Sequence, residues 1–224
     1  MSFFTGIMQD FTQSLITIFV ILDPIGAIPF FQGLTAGATS RQRGMIARKT
    51  VIVTIVVLLI FAYLGDAILG ALHITLDSVM IAGGVFILVF AVKDVASSQS
   101  PSANTSRTKK GEMGGLPKEV ADSIAAFPLA IPLLAGPGTI ATVMVLNNPD
   151  YGAATGLGDF STALAIVVDC LIVLLLFGLS SRLMRILKPS VMVITGKVMD
   201  ILMGAIGISF IIRGAVGIFG ITLP

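Results

Sequence analysis

Long apolar runs alternate with short polar gaps along this chain, and the pattern predicts helices that cross a membrane. A span needs about 20 largely apolar residues, because the hydrocarbon layer is about 30 Å thick and a helix rises about 1.5 Å per residue. Six segments meet this requirement: Phe11–Leu34, Met45–Leu64, Ser78–Val92, Val120–Leu146, Phe160–Ser181 and Ile194–Ile218. We therefore predict an all-α polytopic membrane protein with about six transmembrane helices, forming a single transmembrane domain over residues 1–224.

The composition supports a membrane protein over a soluble one. Of the 224 residues 55% are hydrophobic and only 12% are charged, and the mean hydropathy is +1.02. A soluble domain of this size would carry a larger share of charged residues on its surface. The single cysteine, Cys170, excludes an intrachain disulfide and a metal cluster held by several thiolates.

The cations predict the orientation of the chain. If six helices alternate in direction, thirteen of the fourteen Lys and Arg residues fall on one face of the membrane: Arg41, Arg43, Arg48, Lys49, Lys93, Arg107, Lys109, Lys110, Lys118, Arg182, Arg185, Lys188 and Lys197. The positive-inside rule then places these basic loops in the cytoplasm and both termini outside a cell membrane. Because the loops flank apolar spans, which explain their charge, we expect a lipid bilayer and no nucleic acid as the partner.

Two spans contain prolines and glycines too densely for one continuous helix. The first carries Asp23-Pro24-Ile25-Gly26-Ala27-Ile28-Pro29, and the fourth carries Pro128-Leu129-Ala130-Ile131-Pro132 followed by Ala135-Gly136-Pro137-Gly138-Thr139. Lipid cannot satisfy the backbone groups that such breaks expose, so we expect the breaks to face protein or a water-filled cavity. The alternative is that they are proline kinks that only shape helix packing.

The two broken spans also indicate an internal repeat. Aligning Ala27–Gly33 on Ala130–Gly136 gives four identities in seven positions. Each segment lies in the first helix of a three-helix half, and an odd number of helices per half makes the second half enter from the opposite side. We therefore predict two inverted repeats, at about residues 8–93 and 119–220, joined by a cytoplasmic linker at 94–118.

Each break has the features of a restarting helix. Asp23 before Pro24 fits an N-cap followed by proline at the first helical position, and Gly136 before Pro137 fits the same arrangement. Free N–H groups and about half a positive charge at such an end suit a carboxylate, whereas the carbonyls that end the preceding half-helix suit an ammonium group or a cation. We predict a site for a small neutral molecule, formed by Asp23, Pro24, Gly26, Ala27, Pro29, Gln32, Pro132, Gly136, Pro137, Gly138 and Thr139.

Charged side chains inside the hydrocarbon are candidates for ion coupling, since each costs about 2.5–3.5 kcal/mol at mid-span. Asp23 is either a helix cap, a proton or cation site, or both. Asp169 lies about 14 Å along the fifth span by the helical rise and needs a partner or a proton. Arg213 either supplies that partner or extends outward on its own. Lys197 and Asp200 are spaced to form a local ion pair.

Catalytic and cofactor motifs are absent from the sequence. It contains no nucleophile elbow, Walker loop, dinucleotide fingerprint or zinc-binding helix pattern. The lone His73 has no second histidine or nearby cysteine to share a metal with, and we interpret it as incidental. We therefore expect no enzyme activity, no cofactor and no metal site.

At these motifs the chain resembles the MarC family of six-span membrane proteins, which includes transporters of small neutral amino acids. The resemblance rests on the two proline-rich motifs, on Ile81-Ala82-Gly83-Gly84, and on Phe210-Ile211-Ile212 followed by Gly214. It implies that the broken helices hold the substrate, that the cargo is similar to glycine or alanine, and that a proton or sodium gradient drives transport. Many relatives carry Asn at the position of Ala27, so this chain lacks the polar contact that the Asn side chain would make. Many relatives also carry Asn at the position of Arg213.

Our main hypothesis is therefore a secondary transporter of small neutral amino acids. The alternatives are a transporter or exporter of another small metabolite or ion, and a membrane scaffold that transports nothing. Each of them is compatible with a monomer or a homo-oligomer.

Overall fold

The computed structural model describes residues 2–96, 115–148, 158–186 and 189–220, and over these residues the chain is helical without a strand. The helices are α1 (Ser2–Leu22), α2 (Ala27–Leu34), α3 (Ser40–Leu72), α4 (Leu76–Ala96), α5 (Lys118–Ile124), α6 (Pro137–Asn147), α7 (Gly158–Ile186) and α8 (Pro189–Phe219). An irregular segment, Ala125–Leu134, joins α5 to α6. The predicted all-α class is confirmed. Most of the predicted linker at 94–118 lies outside the described residues.

Within the described residues, four helices are long and apolar enough to cross a membrane, and they are most or all of α3, α4, α7 and α8. Two further spans are bent pairs. The pair formed by α1 and α2 bends by 48°, and the pair formed by α6 with the segment Lys118–Leu134 before it bends by 60°. If each bent pair is one span the count reaches six. Each half of the chain thus begins with a broken element and continues with two long helices.

Glycines bring α4 and α8 into backbone contact. A Cβ atom at Gly84 would lie 2.5 Å from the Gly207 carbonyl oxygen, and one at Gly207 would lie 2.8 Å from the Gly84 carbonyl oxygen. Small residues allow this approach in a membrane, where packing replaces the hydrophobic effect between helices. Gly33 of α2 makes no such contact, since no atom lies within 4 Å of a Cβ placed there.

The core of the bundle lies where α7 packs against α1 and α3. Ile18 of α1, Leu58 of α3 and Ile166 of α7 are completely buried in one apolar cluster. Phe31 of α2 stacks on Phe177 of α7 with ring centroids 4.3 Å apart, and this contact fixes α2 beside α7. Large apolar side chains also lie exposed on the outside of the long helices, which is the surface expected of a protein whose solvent is lipid.

We expect Gly84→Ala to lower the stability of the protein, because the added methyl group would press against the backbone of α8. Overpacking of this kind costs about 1–3 kcal/mol. Gly70→Ala is the matched control, since no atom lies within 4 Å of its Cβ position in α3 and alanine is the better helix former. Thermal unfolding in detergent measures both, and equal midpoints would contradict the close α4–α8 contact.

Candidate functional site

The first break is a capped turn. Asp23 has a left-handed backbone with φ of 40°, a conformation that aspartate tolerates better than most residues. Its carboxylate oxygen Oδ1 accepts a hydrogen bond from the Gly26 N–H at 3.1 Å, and its carbonyl oxygen accepts one from the Ala27 N–H at 3.0 Å. The predicted N-cap role of Asp23 is wrong, because the N-cap of α2 is Gly26 and no side-chain hydrogen bond caps that helix. The Asp23 carboxylate instead closes the turn that precedes α2. The predicted start of α2 at Pro24 is wrong by three residues, because Pro24, Ile25 and Gly26 form the turn.

The second break has a different construction. Phe127 and Ile131, each followed by proline, have extended backbone angles, as expected because proline disfavours the helical conformation in the residue before it. The helix restarts with Gly136 as an extended N-cap and Pro137 in the first turn. This restart confirms the prediction from the sequence.

The N-terminus of α6 keeps unpaired donors. Pro137 has no N–H, and the Ile140 N–H already binds the Gly136 carbonyl oxygen at 2.9 Å. No side chain caps the helix, so the N–H groups of Gly138 and Thr139 remain available. Together with the helix dipole they form a local positive end.

A cleft of about 530 Å³ lies against this helix end. Five of the predicted site residues line it: Pro132, Gly136, Pro137, Gly138 and Thr139. The first broken span contributes Ile21, Phe30 and Leu34, while α4 contributes Phe86, Ile87 and Phe90, and α8 contributes Met203. The second break, α2, α4 and α8 therefore surround one cleft.

The other predicted site residues do not line the cleft. Asp23, Pro24, Gly26, Ala27, Pro29 and Gln32 are not among the lining residues. Ala27 is 3% exposed and belongs to the core, and Asp23 and Gly26 are bonded to each other within the turn. The sequence analysis did not predict Phe30 and Leu34 as site residues. These residues are four apart and so share one face of α2, and this spacing could have indicated that they face the same space.

Gln32 holds α2 to α7 through hydrogen bonds. Its Nε2 donates to Ser180 Oγ at 2.5 Å and to Ser181 Oγ at 3.2 Å. Arg43 of α3 joins the same cluster, donating from Nη1 to Ser181 Oγ at 3.1 Å and from Nε to the Thr35 carbonyl oxygen at 3.2 Å. The end of the first broken span is thereby fixed to α7 and α3.

At one wall of the cleft, α6 packs tightly on α4. A Cβ atom at Gly83 would collide with the Cβ of Ala141, and one at Gly138 would collide with the side chain of Ile87. The wall formed by α4 and α6 is therefore closed, and Gly138 has no room for a side chain.

Asp169 is the most isolated ionisable group in the described residues. Its side chain is 0% exposed, and neither carboxylate oxygen has a hydrogen-bond partner within that part of the chain. The predicted pairing with Arg213 is not formed, because Arg213 is exposed on α8. The alternative, that Arg213 extends outward, is consistent with this exposure. The local pair of Lys197 Nζ and Asp200 Oδ2 is present at 4.0 Å.

Sequence comparison gives one consistent family. The profile described as MarC family integral membrane protein matches residues 8–219. A UPF0056 membrane protein of Methanocaldococcus jannaschii is 35% identical over 212 residues, which cover 94% of this chain and 98% of that relative. The UPF0056 membrane protein YhcE of Escherichia coli is 31% identical over 204 residues, with 91% of each chain covered. No solved structure matches.

We expect Asp23→Ala to destabilise the first break, because alanine offers no acceptor to Gly26 and is strained at positive φ. Loss of the hydrogen bond from the Gly26 N–H costs about 1 kcal/mol. Holding alanine in the left-handed backbone conformation costs about 1–2 kcal/mol more. Asp23→Asn should retain most of the stability, since its amide oxygen can accept the same hydrogen bond. Thermal unfolding of both variants in detergent provides the measurement, and equal losses would mean that the charge, rather than the cap, is what matters.

Proposed function

The chain belongs to the MarC family of integral membrane proteins, and we propose that it is a secondary transporter of small neutral amino acids across the cell membrane. The observation that carries the proposal is the cleft at the restart of the second broken span, bounded on its other side by α2. Paired interrupted helices in corresponding places are the strongest indicator of a transporter's binding site. In this proposal the basic loops lie in the cytoplasm, both termini lie outside, and the two halves are inverted repeats.

The N-terminus of α6 would bind the carboxylate of the substrate. The N–H groups of Gly138 and Thr139 lie at the cleft, and a helix N-terminus stabilises a nearby anion by about 0.3–1 kcal/mol, rising to ~2 kcal/mol when partly buried. Gly136 contributes to the same proposed site by leaving a backbone acceptor open. A Cβ there would lie 2.6 Å from the Pro132 carbonyl oxygen, so glycine leaves this acceptor uncovered for the ammonium group.

The packing of the two broken spans supports alternating access. The outer half of the second span, α6, is packed on α4 through Gly83 and Ala141. The corresponding half of the first span, α2, packs on α7 through Phe31 and Gln32, and the cleft occupies the space beside it. With the orientation proposed above, Leu34 and Phe90, which line the cleft, belong to the cytoplasmic halves of their spans. During transport, α6 would separate from α4, and α2 would move to cover the cleft.

Asp169 is our candidate for coupling transport to an ion gradient. An unpartnered buried carboxylate must either hold a proton or bind a cation, because an isolated charge is strongly disfavoured in an apolar interior. Asp23 is the weaker candidate, because its carboxylate already caps the turn before α2.

Liposomes containing the purified protein should take up labelled alanine or glycine with saturation, and Gly138→Leu should reduce this uptake at least about tenfold. The leucine side chain would enter the space of Ile87 and cover the α6 donors. Gly178→Leu is the matched control, because nothing lies within 4 Å of its Cβ position on the exposed face of α7. Normal uptake by Gly138→Leu would remove the second break from the binding site. Uptake of other metabolites or ions in place of amino acids would favour the alternative cargo.

Asp169→Asn should alter how uptake depends on the gradient. If the carboxyl group carries the coupling ion, its amide replacement should flatten the dependence of alanine uptake on external pH or on sodium, whichever ion drives the wild type. Asp23→Asn tests the second candidate in the same assay. Asp66→Asn, an exposed position on α3, is the control. An unchanged ion dependence in Asp169→Asn would exclude this aspartate as the coupling site.

A further inference from the structure

The cleft is polar at one edge and apolar over the rest of its wall. Thr139 is the single polar side chain among the residues that line it in the described part of the chain, and no charged side chain is among them. The rest of the lining is apolar and includes Phe30, Phe86, Phe90 and Met203. Phe86 and Phe90 are four residues apart and therefore present one continuous aromatic face of α4.

The cleft is also larger than the smallest amino acids require. If each heavy atom takes about the 30 Å³ that a water molecule occupies in the liquid, glycine fills roughly 150 Å³ and leucine roughly 270 Å³. The cleft measures about 530 Å³. Glycine bound at the α6 end would leave the aromatic wall in contact with water, whereas an aliphatic side chain would cover it.

We propose that Phe30, Phe86, Phe90 and Met203 form a side-chain subsite, and that the preferred cargo is a neutral amino acid with an aliphatic side chain of about leucine size. This inference rests on the proposed function and narrows its substrate class. The carboxylate lies at the N–H groups of Gly138 and Thr139, and the side chain extends along α4 towards Phe90.

The chemistry of the wall also sets what the subsite rejects. A lysine or glutamate side chain would place its charge against aromatic and aliphatic groups with no opposite charge on the lining, which is strongly unfavourable. For aliphatic side chains, each methylene that an apolar pocket accepts is worth about tenfold or more in discrimination. Leucine should therefore bind at least about tenfold more tightly than glycine.

A tryptophan reporter tests the subsite directly. The chain contains no tryptophan, so Phe90→Trp introduces its only one, and the emission reports the cleft alone. The full-length variant in lipid nanodiscs is titrated with glycine, alanine, leucine and lysine. We expect a blue shift that saturates with leucine at a concentration at least about tenfold lower than with glycine, and no saturable shift with lysine.

Competition in liposomes provides a readout on the unmodified chain if the tryptophan variant does not fold. Unlabelled leucine should inhibit labelled alanine uptake at a concentration at least about tenfold lower than glycine does. Phe30→Ala, which shortens a side chain of the subsite, should weaken inhibition by leucine severalfold more than it weakens inhibition by glycine. Leu175→Ala, 60% exposed on the outer face of α7, should change neither.

The two proposals fail in different ways. Equal potency of glycine and leucine, or stronger binding of glycine, would overturn the subsite and leave amino acid transport standing. No uptake of any amino acid by the wild type, together with no fluorescence response, would overturn the proposed function itself.

Discussion

The need to pair every backbone N–H and C=O group in hydrocarbon is the constraint on which this structure depends. The four long spans satisfy this requirement with hydrogen bonds inside their own helices. The two broken spans cannot, because their prolines remove donors and interrupt the ladder. They are placed inside the bundle, and their exposed groups are satisfied in different ways. At the first break Asp23 closes the turn with its side chain and its carbonyl oxygen. At the second, the Ala135 N–H binds the Ala130 carbonyl oxygen at 2.8 Å, and the start of α6 faces the cleft.

This difference between the breaks explains why the site is asymmetric. The first break is internally satisfied, so it serves to position α2, whose Phe30 and Leu34 form part of the cleft wall. The second break supplies the polar groups. A binding site that combines one uncapped helix end with aromatic and aliphatic side chains fits a solute with a carboxylate and an apolar body. The closed contact of α6 on α4 and the bonded end of α2 on α7 are the two packing arrangements that the proposed transport would exchange.

Local chemistry made the spans and both breaks predictable from the sequence. Hydropathy located the long helices, and Gly136 before Pro137 identified the helix restart, because these features depend on a few neighbouring residues. The orientation of α2 about its own axis was not predictable, since it depends on Phe31 stacking on Phe177 and on Gln32 reaching Ser180, 148 residues away along the chain. For the same reason Ala27 and Gln32 were expected in the site, whereas the first broken span contributes Ile21, Phe30 and Leu34. Arg213 was considered as a partner of Asp169, but the exposed side of α8 on which it lies could only be assigned once the helices were packed.

The accessibility of one position in the second break tests the central claim most directly. Cys170 is the only cysteine in the sequence and is buried, so Pro137→Cys in a Cys170→Ala background carries a single thiol at the cleft, at a position that is exposed. We predict that a water-soluble thiol reagent modifies it and that a saturating mixture of neutral amino acids slows the reaction. Val143→Cys in the same background, further along α6 and completely buried, should not react. A Pro137→Cys thiol that is inert, or that reacts equally with and without amino acids, would contradict a substrate site at the broken helix.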